Sequence, residues 1–320
     1  MTGLVRFLPF WEPHIDYASS RLRALFPARA LAKAGFPAEL GWGDDASVYV
    51  VVQLCSDRTL DRLRMARGRG AQIVYCVCDR HYANGGRSIA GVHTKWRFDQ
   101  LVEIADALLS PTDGLGDELQ SLAPSLPTHV IPDWLDYVDH EDGRVVDVCS
   151  RAVWFGNAGT GNFSAARPFL DLLEGTGISF SIIGNPRSFG TLKDYTDRTI
   201  PWQYDTFIHH LRNVSFSLIA FDPAETQKST NRFATSVVNG VPAILCGKST
   251  SATCAIENGF GDIVVYDQRD LPRAVACVQN PEFRRRYIEH MRGFFLAELG
   301  EQVMTQRYVE MFKQITRAAH

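Results

Sequence analysis

The chain is predicted to be an α/β protein built from two Rossmann-like, doubly wound parallel-sheet domains. Three observations carry this. Short apolar runs that read as buried strands alternate with longer stretches of helical period along nearly the whole sequence. The alternation breaks once, over Pro132 to Asp147, which is acidic and polar with no clear period. The length, 320 residues, suits two domains. The expected organisation is therefore a first domain over 1–135, a linker over 136–150, a second domain over 151–300, and a C-terminal helix over 301–320 that could pack back on the first domain.

In the first half, Leu4 to Phe10 reads as a strand. Tyr17 to Gly35 is an amphipathic helix with Leu22, Leu25, Phe26, Ala30 and Leu31 inward and Gly35 as its stop. The connecting loop, Trp11-Glu-Pro-His-Ile-Asp16, holds several groups capable of chemistry. Ser47 to Leu54 is a strand, Thr59 to Arg69 a basic helix, and Gln72 to Cys78 a strand ending at Asp79. The next loop, Arg80 to Gly86, falls at the edge of the sheet where ligands bind. Helices over Arg97 to Asp106 and Asp113 to Leu122 alternate with short strands at Ala107 to Leu109 and His129 to Ile131.

After the linker the pattern restarts. Strands are expected at Ala152 to Phe155, Ser179 to Ile183 and Val214 to Ile219, with helices at Phe163 to Glu174 and Tyr204 to Arg212. The stretch Asp222 to Leu245 then reads as loop, helix and strand, with Phe233, Val237 and Val238 on one helix face and Gly240 as its stop. A βαβ unit places that loop and the helix start at the carboxyl edge of the sheet. Lys228, Ser229, Thr230, Asn231 and Arg232 stand there, where backbone N–H groups and two cations suit a phosphate. A helix near Ala252 to Asn258, a strand at Ile263 to Tyr266, and helices over Pro281 to Leu296 and Gln302 to Thr316 complete the chain.

Composition narrows the function. Hydrophobic residues make up 45% and charged residues 22%, and the net charge is −3, so the chain reads as an ordinary globular protein without the basic excess of a nucleic-acid binder. Seven cysteines without zinc-type clustering suggest reduced thiols and a cytoplasmic setting, with Cys76 and Cys78 packed rather than reactive. The apolar start is too short for a signal peptide, and nothing is long enough to span a bilayer. No histidine pair has the helical spacing of a zinc site, so no metal is expected.

Four segments in order resemble the GT-B glycosyltransferases. Ser19 to Gly35 looks like their first helix. Val130-Ile-Pro-Asp-Trp-Leu-Asp136 looks like the end of their first domain. Ala152-Val-Trp-Phe-Gly-Asn157 looks like the opening strand and loop of their donor domain. Lys228 to Pro242 looks like their donor loop and helix, closing in Asn-Gly-Val-Pro. The resemblance implies transfer of a sugar from a nucleotide-activated donor to a glycan or lipid-linked acceptor in cell-surface polysaccharide or glycoconjugate synthesis, with no metal or other cofactor. It also implies a departure. Retaining members of the family 4 type carry a pair of glutamates ahead of the Gly-x-Pro turn; registered on Gly240, those places hold Lys228 and Thr235. A lysine there favours an anionic partner such as the diphosphate or an acidic sugar.

The expected roles follow. Lys228 and Arg232 would hold the phosphates, the alternative being a solvated helix start with two surface cations. Gly156 with Asn157, Gly184 with Asn185, and Thr230, Asn231 and Thr235 would contact donor groups, or be plain strand-to-helix turns. Glu225 would meet a sugar or ribose hydroxyl, or pair with Lys228. The candidates for an acceptor-side base are Asp16, His14, Asp79 and His81, with Asp79 or Asp16 taking the role if the reaction inverts; the alternatives are ordinary surface histidines for His14, His81 and His93 and an N-cap or turn for Asp79. Pro201-Trp202 could stack on a base or pack in the core. Arg284-Arg-Arg286 reads as a solvated basic face, with contact to an anionic membrane, at its inner face, as the alternative. Two other functions fit the same pattern: an epimerase of the GT-B fold, and a non-catalytic scaffold that keeps the fold.

Overall fold

The computed structural model describes residues 3–10, 15–83, 85–136, 145–158 and 161–318. His14, Asn84 and the centre of the expected linker, 137–144, lie outside the described residues. The chain forms two compact units: Met1–Trp134 together with Glu298–His320, and Leu135–Ala297.

The first unit holds strands β1 (Val5–Pro9), β2 (Ala38–Leu40), β3 (Val48–Val52), β4 (Gln72–Cys76), β7 (Ala107–Ser110) and β8 (Thr128–Val130), with a separate two-stranded hairpin of β5 (Ser88–Ile89) and β6 (Val92–His93). Its sheet is parallel throughout, in the order β2-β1-β3-β4-β7-β8. Every residue of β3, Val-Tyr-Val-Val-Val, is at most 1% exposed. Such burial contributes about 1.5–3 kcal/mol for each large apolar side chain, and it is why the strand shows no alternation in sequence. Around the sheet lie α1 (Ala18–Ser20), α2 (Phe26–Lys33), α3 (Asp57–Gly68), α4 (Thr94–Ile104) and α5 (Asp113–Leu122). α3, α4 and α5 begin at side-chain caps from Ser56, His93 and Thr112.

The second unit repeats the plan with β9 (Arg151–Gly156), β10 (Ser179–Gly184), β11 (Thr199–Pro201), β12 (Phe216–Ala220), β13 (Ala243–Cys246) and β14 (Val264–Val265), in the parallel order β11-β10-β9-β12-β13-β14. Helices α6 (Gly161–Glu174), α7 (Tyr204–Arg212), α8 (Asn231–Val238), α9 (Thr250–Glu257), α10 (Leu271–Gln279) and α11 (Pro281–Leu299) accompany it. The last helix, α12 (Glu301–Ala318), packs within the first unit: Tyr308 and Phe312 meet Phe7 with ring centroids 6.1 and 6.2 Å apart, and Phe312 stacks on Phe36 at 5.7 Å.

Several expectations change. β2 and β11 have three residues each, and β11 contains a proline, too little for a period to show. The expected first helix is interrupted by a π-helical turn, Arg21–Leu25, between α1 and α2. α4 starts at Thr94, three residues before the expected Arg97, because His93 caps it and the β5–β6 hairpin feeds it. Arg284 does not belong to a solvated face. It is 2% exposed and donates to the carbonyls of Val146 at 2.8 Å and Val278 at 3.0 Å, while Arg285 and Arg286 are exposed. Trp202 takes the packed alternative, half-buried against Phe207 at 6.0 Å between ring centroids, and its backbone N–H donates to the Gly184 carbonyl at 2.8 Å.

Candidate functional site

In the second sheet, β9 leads to β10 and β11 on one side, and β12 leads to β13 and β14 on the other. The chain therefore reverses between β9 and β12, and ligands of doubly wound sheets bind at that point, beyond the carboxyl ends of the strands. β9 ends in Gly156, with φ at +150°, where a side chain is disfavoured and an added Cβ would lie 3.3 Å from the Trp154 ring and 3.5 Å from Arg232 Nη1. Gly184 closes β10 directly beside it, in register with Gly156. Two glycines thus face the edge from adjacent strands, followed by Asn157 and Asn185.

Arg232, the second residue of α8, reaches back across this gap. Its Nη2 donates to the Ala220 carbonyl at the end of β12, at 2.9 Å, and its Nη1 to the Phe155 carbonyl of β9, at 3.4 Å. The guanidinium also lies 4.5 Å from the centre of the Phe221 ring. Burial lowers its pKa to about 10, which still leaves it charged at neutral pH. A fixed cation thus bridges the two strands that diverge. The first turn of α8 adds backbone N–H groups with no acceptor in their own helix, and Thr230 at the cap offers no side-chain bond to them.

The loop ahead of α8 is held at several places. Asp222 accepts from the Ala224 N–H at 2.9 Å and its own N–H donates to Asn162 Oδ1 at 2.8 Å. Gly161 lies close beside it: a Cβ added there would displace the Asp222 carboxylate from this position. The Thr226 carbonyl accepts from the Thr250 N–H at 3.0 Å and from its hydroxyl at 3.3 Å. Lys228 Nζ stands 3.6 Å from the Glu225 carboxylate, with both side chains about a quarter exposed, at 22% and 26%. Such a pair is worth little to stability, so either partner can turn to a ligand at small cost.

Gly156, Asn157, Gly184, Asn185, Glu225, Lys228, Thr230, Asn231 and Arg232 therefore share one sheet edge. Thr235 differs: it lies a turn into α8, is 2% exposed, and its Oγ1 has no hydrogen-bond partner among the described residues. Asp79 and Asp16 belong to the first unit, again at a carboxyl edge. Asp16 is exposed in the turn before α1, and Asp79 follows β4 with its Oδ1 3.2 Å from His81 Nδ1. Among the described residues no three His, Cys, Asp or Glu side chains are grouped to hold a metal.

No family model matches the chain, and no curated protein matches it in sequence. Solved structures do match. Anabaena HepE, determined with UDP and glucose, superposes with a TM-score of 0.68 over 97% of this chain and 100% of that one, at 10% identity. The chain has the GT-B fold. WaaG, a glycosyltransferase involved in lipopolysaccharide biosynthesis, matches with a TM-score of 0.61, covering 95% of this chain and 98% of its own, at 11% identity. TarM of S. aureus, determined with a UDP ligand, gives 0.62 at 10% identity over 89% of this chain, which spans 58% of TarM.

Within this GT-B framework, sequence reasoning overlooked the residues that hold the loop ahead of α8. Asn162 was passed over because the helical period becomes visible only at Phe163. Thr226 and Thr250 meet through a backbone carbonyl, a contact that no side-chain pattern announces. Lys248, exposed after β13, adds a further cation to the same edge.

Proposed function

We propose that the chain is a glycosyltransferase that moves a sugar from a uridine-diphosphate donor to a glycan or lipid-linked acceptor. The observation that carries this is the placement of Arg232, bound to the carbonyls of Phe155 and Ala220 at the divergence of β9 and β12, with the start of α8 and Lys228 alongside. A leaving nucleoside diphosphate needs its developing negative charge met by groups already in place. Arg232 is such a group, Lys228 can leave Glu225 to join it, and the N–H groups of α8 complete the set. Protein cations supply the charge in this reading, so we assign the chemical step no metal.

HepE and TarM were determined with UDP, which supports a uridine nucleotide; the involvement of WaaG in lipopolysaccharide biosynthesis supports a cell-surface glycan as the acceptor class. Gly156, Asn157, Gly184, Asn185, Asn231 and Glu225 would line the donor. Thr235, buried with a hydroxyl still to satisfy, would meet the nucleotide only through a small shift of α8. In transfer, the bond between the sugar's anomeric carbon and the phosphate oxygen breaks, UDP leaves with the electron pair, and the acceptor oxygen bonds the same carbon. The acceptor proton passes to a carboxylate of the first unit, for which we assign Asp79 ahead of Asp16. A cytoplasmic setting agrees with seven cysteines that are all free thiols, and no helix of the described residues is long and apolar enough to cross a membrane.

The test is thermal unfolding against UDP, GDP, ADP and a series of their sugars. A ligand at a hundred times its Kd adds about 2.7 kcal/mol to the folded state, a readily measured shift in Tm. UDP should raise Tm, and Lys228→Ala should keep the fold while abolishing transfer. A chain indifferent to every nucleotide would end the proposal.

A further inference from the structure

The carboxyl edge of the first sheet holds a buried polar chain that the donor site does not use. His81 has a fully buried side chain, at 0% exposed, yet both ring nitrogens meet polar partners. Nδ1 is 3.2 Å from Asp79 Oδ1, and Nε2 is 3.4 Å from the Tyr75 hydroxyl. That hydroxyl donates to the Gln53 carbonyl at 3.0 Å, and the Gln53 side chain accepts from Ser19 Oγ at 3.2 Å. The chain of contacts thus joins the start of the first helix, the loop after β3 and the loop after β4. The first sheet reverses between β1 and β3, so these loops stand at its ligand edge.

Two backbone irregularities mark the same place. Gln53 has φ at +69°, a conformation that costs a non-glycine residue about 1–3 kcal/mol and that persists where surrounding contacts impose it. Ser19 stands two residues before the π-helical turn Arg21–Leu25, a type of distortion found often at functional sites. His81 is fixed through its backbone as well: its carbonyl accepts from Thr94 Oγ1 at 2.6 Å, and that oxygen accepts from the Arg87 N–H at 2.8 Å. A carboxylate only accepts, so the Nδ1 of His81 is the protonated nitrogen at the Asp79 end. The histidine's buried polar contacts therefore run outward to one carboxylate, which is itself 26% exposed at the sheet edge.

We propose that His81 is a positioning residue for Asp79, holding its carboxylate in the orientation in which it accepts the proton of the acceptor hydroxyl. This rests on the glycosyltransferase reading above. The proton moves from the acceptor oxygen to the Asp79 carboxylate, while the Nδ1 proton of His81 stays where it is and keeps that carboxylate from rotating. A base oriented by a further buried group is a recurrent catalytic arrangement, and misplacement of a reacting group by about 1 Å costs up to roughly a hundredfold in rate. The competing account is a core histidine satisfied by its neighbours, with no bearing on Asp79 beyond packing.

Imidazole ¹H–¹⁵N spectra of the full chain test the geometry without any substrate. With nine histidines the signals are few, and His81→Asn assigns the one in question. The expected result is a slowly exchanging Nδ1–H signal that shifts in Asp79→Asn. A bare Nδ1, or a signal indifferent to Asp79→Asn, overturns the proposal. Release of UDP, measured with the uridine sugar that most raises Tm, tests the consequence. His81→Leu should lower kcat about ten- to a hundredfold with KM unchanged. His81→Asn, whose amide nitrogen can occupy the place of Nδ1, should recover most of the loss, whereas His81→Gln should not. If Asp79→Asn leaves kcat intact, the base assignment fails. If Asp79→Asn abolishes turnover while leucine and asparagine at position 81 behave alike, the positioning role alone fails.

Discussion

Arg232 donates to the carbonyl of Ala220 at 2.9 Å, so the cation of the candidate donor site also ties the last residue of β12 to the second residue of α8. With the bond to Phe155 it links the two strands between which the second sheet reverses. Position and charge at the ligand edge are thus set by one side chain.

Substitution of Arg232 should therefore have two separable effects. Arg232→Lys keeps a charge but cannot fork between two carbonyls; UDP affinity should fall roughly tenfold or more, since a hydrogen bond to a charged group is worth about 1.5–3 kcal/mol. Arg232→Ala should in addition lower Tm, because two carbonyls lose their donor. Calorimetric titration with UDP and thermal unfolding of both variants separate the terms, and unchanged UDP affinity in the alanine variant would remove Arg232 from the site.

Gly156 should tolerate no side chain. Its φ of +150° and the 3.3 Å approach of an added Cβ to the Trp154 ring act together. Gly156→Ala should cost about 1–3 kcal/mol, read as a lower urea midpoint at constant m. The added Cβ would touch Arg232 Nη1 only at an ordinary contact distance, 3.5 Å, so any weakening of UDP binding in the same variant would come through the strained strand end. A neutral midpoint would show that the strand end relaxes freely.

Much of this was legible in the sequence, for a physical reason. Strands buried on both faces, such as Val48–Val52, are apolar at every position; the helix Asp113–Leu122 carries both its Thr112 cap and its apolar period, and Tyr204–Arg212 carries its period. The expected donor loop falls at the carboxyl edge because a parallel βαβ unit leaves it nowhere else to go. Features set by tertiary contact were hidden. Arg284 looked solvated among three arginines, and only the carbonyls of Val146 and Val278 explain its burial. His81 looked like a loop histidine, since nothing local announces a tyrosine six residues earlier pointing at it. Thr235 was registered on a family motif that says nothing of burial.

Base should destabilise the protein as pH rises above about 10, where the tyrosines of the unfolded chain ionise. Burial raises the hydroxyl pKa of Tyr75, Tyr287, Tyr82, Tyr308 and Tyr195, the last to about 12, where a hydrogen bond to Asp171 adds to the effect. In the unfolded chain these groups titrate near 10. The folded state then binds more protons than the unfolded state above that point, so stability falls as pH rises. Their contribution is complete below about pH 10 and, for Tyr195, is lost as pH passes 12. Absorbance at the tyrosinate band should lag the denatured control and then rise together with loss of structure. A smooth titration of every tyrosine near pH 10 in the folded protein would contradict the assignment.

The C-terminal helix should be indispensable to the first unit. Phe312 is fully buried, stacks on Phe36 at 5.7 Å, meets Phe7 edge-on at 6.2 Å, and adjoins Tyr308 in the same cluster. Three residues further on, the Ile315 carbonyl accepts from Gln72 Nε2 at 2.9 Å at the start of β4. Removing the ring leaves a cavity in a cluster of rigid aromatics that cannot easily close over it. Phe312→Ala should cost about 3–5 kcal/mol. Deletion of residues 301–320 should go further, exposing Phe7 and Phe36 and the face of the sheet beneath them, with aggregation on expression as the outcome. Hydrogen exchange localises the effect: β1 and β2 should lose protection in Phe312→Ala, whereas β9 and β12 of the second unit should keep theirs. Equal loss in both sheets would show that the two units unfold as one, and a Tm unchanged by Phe312→Ala would show that α12 contributes nothing to the fold.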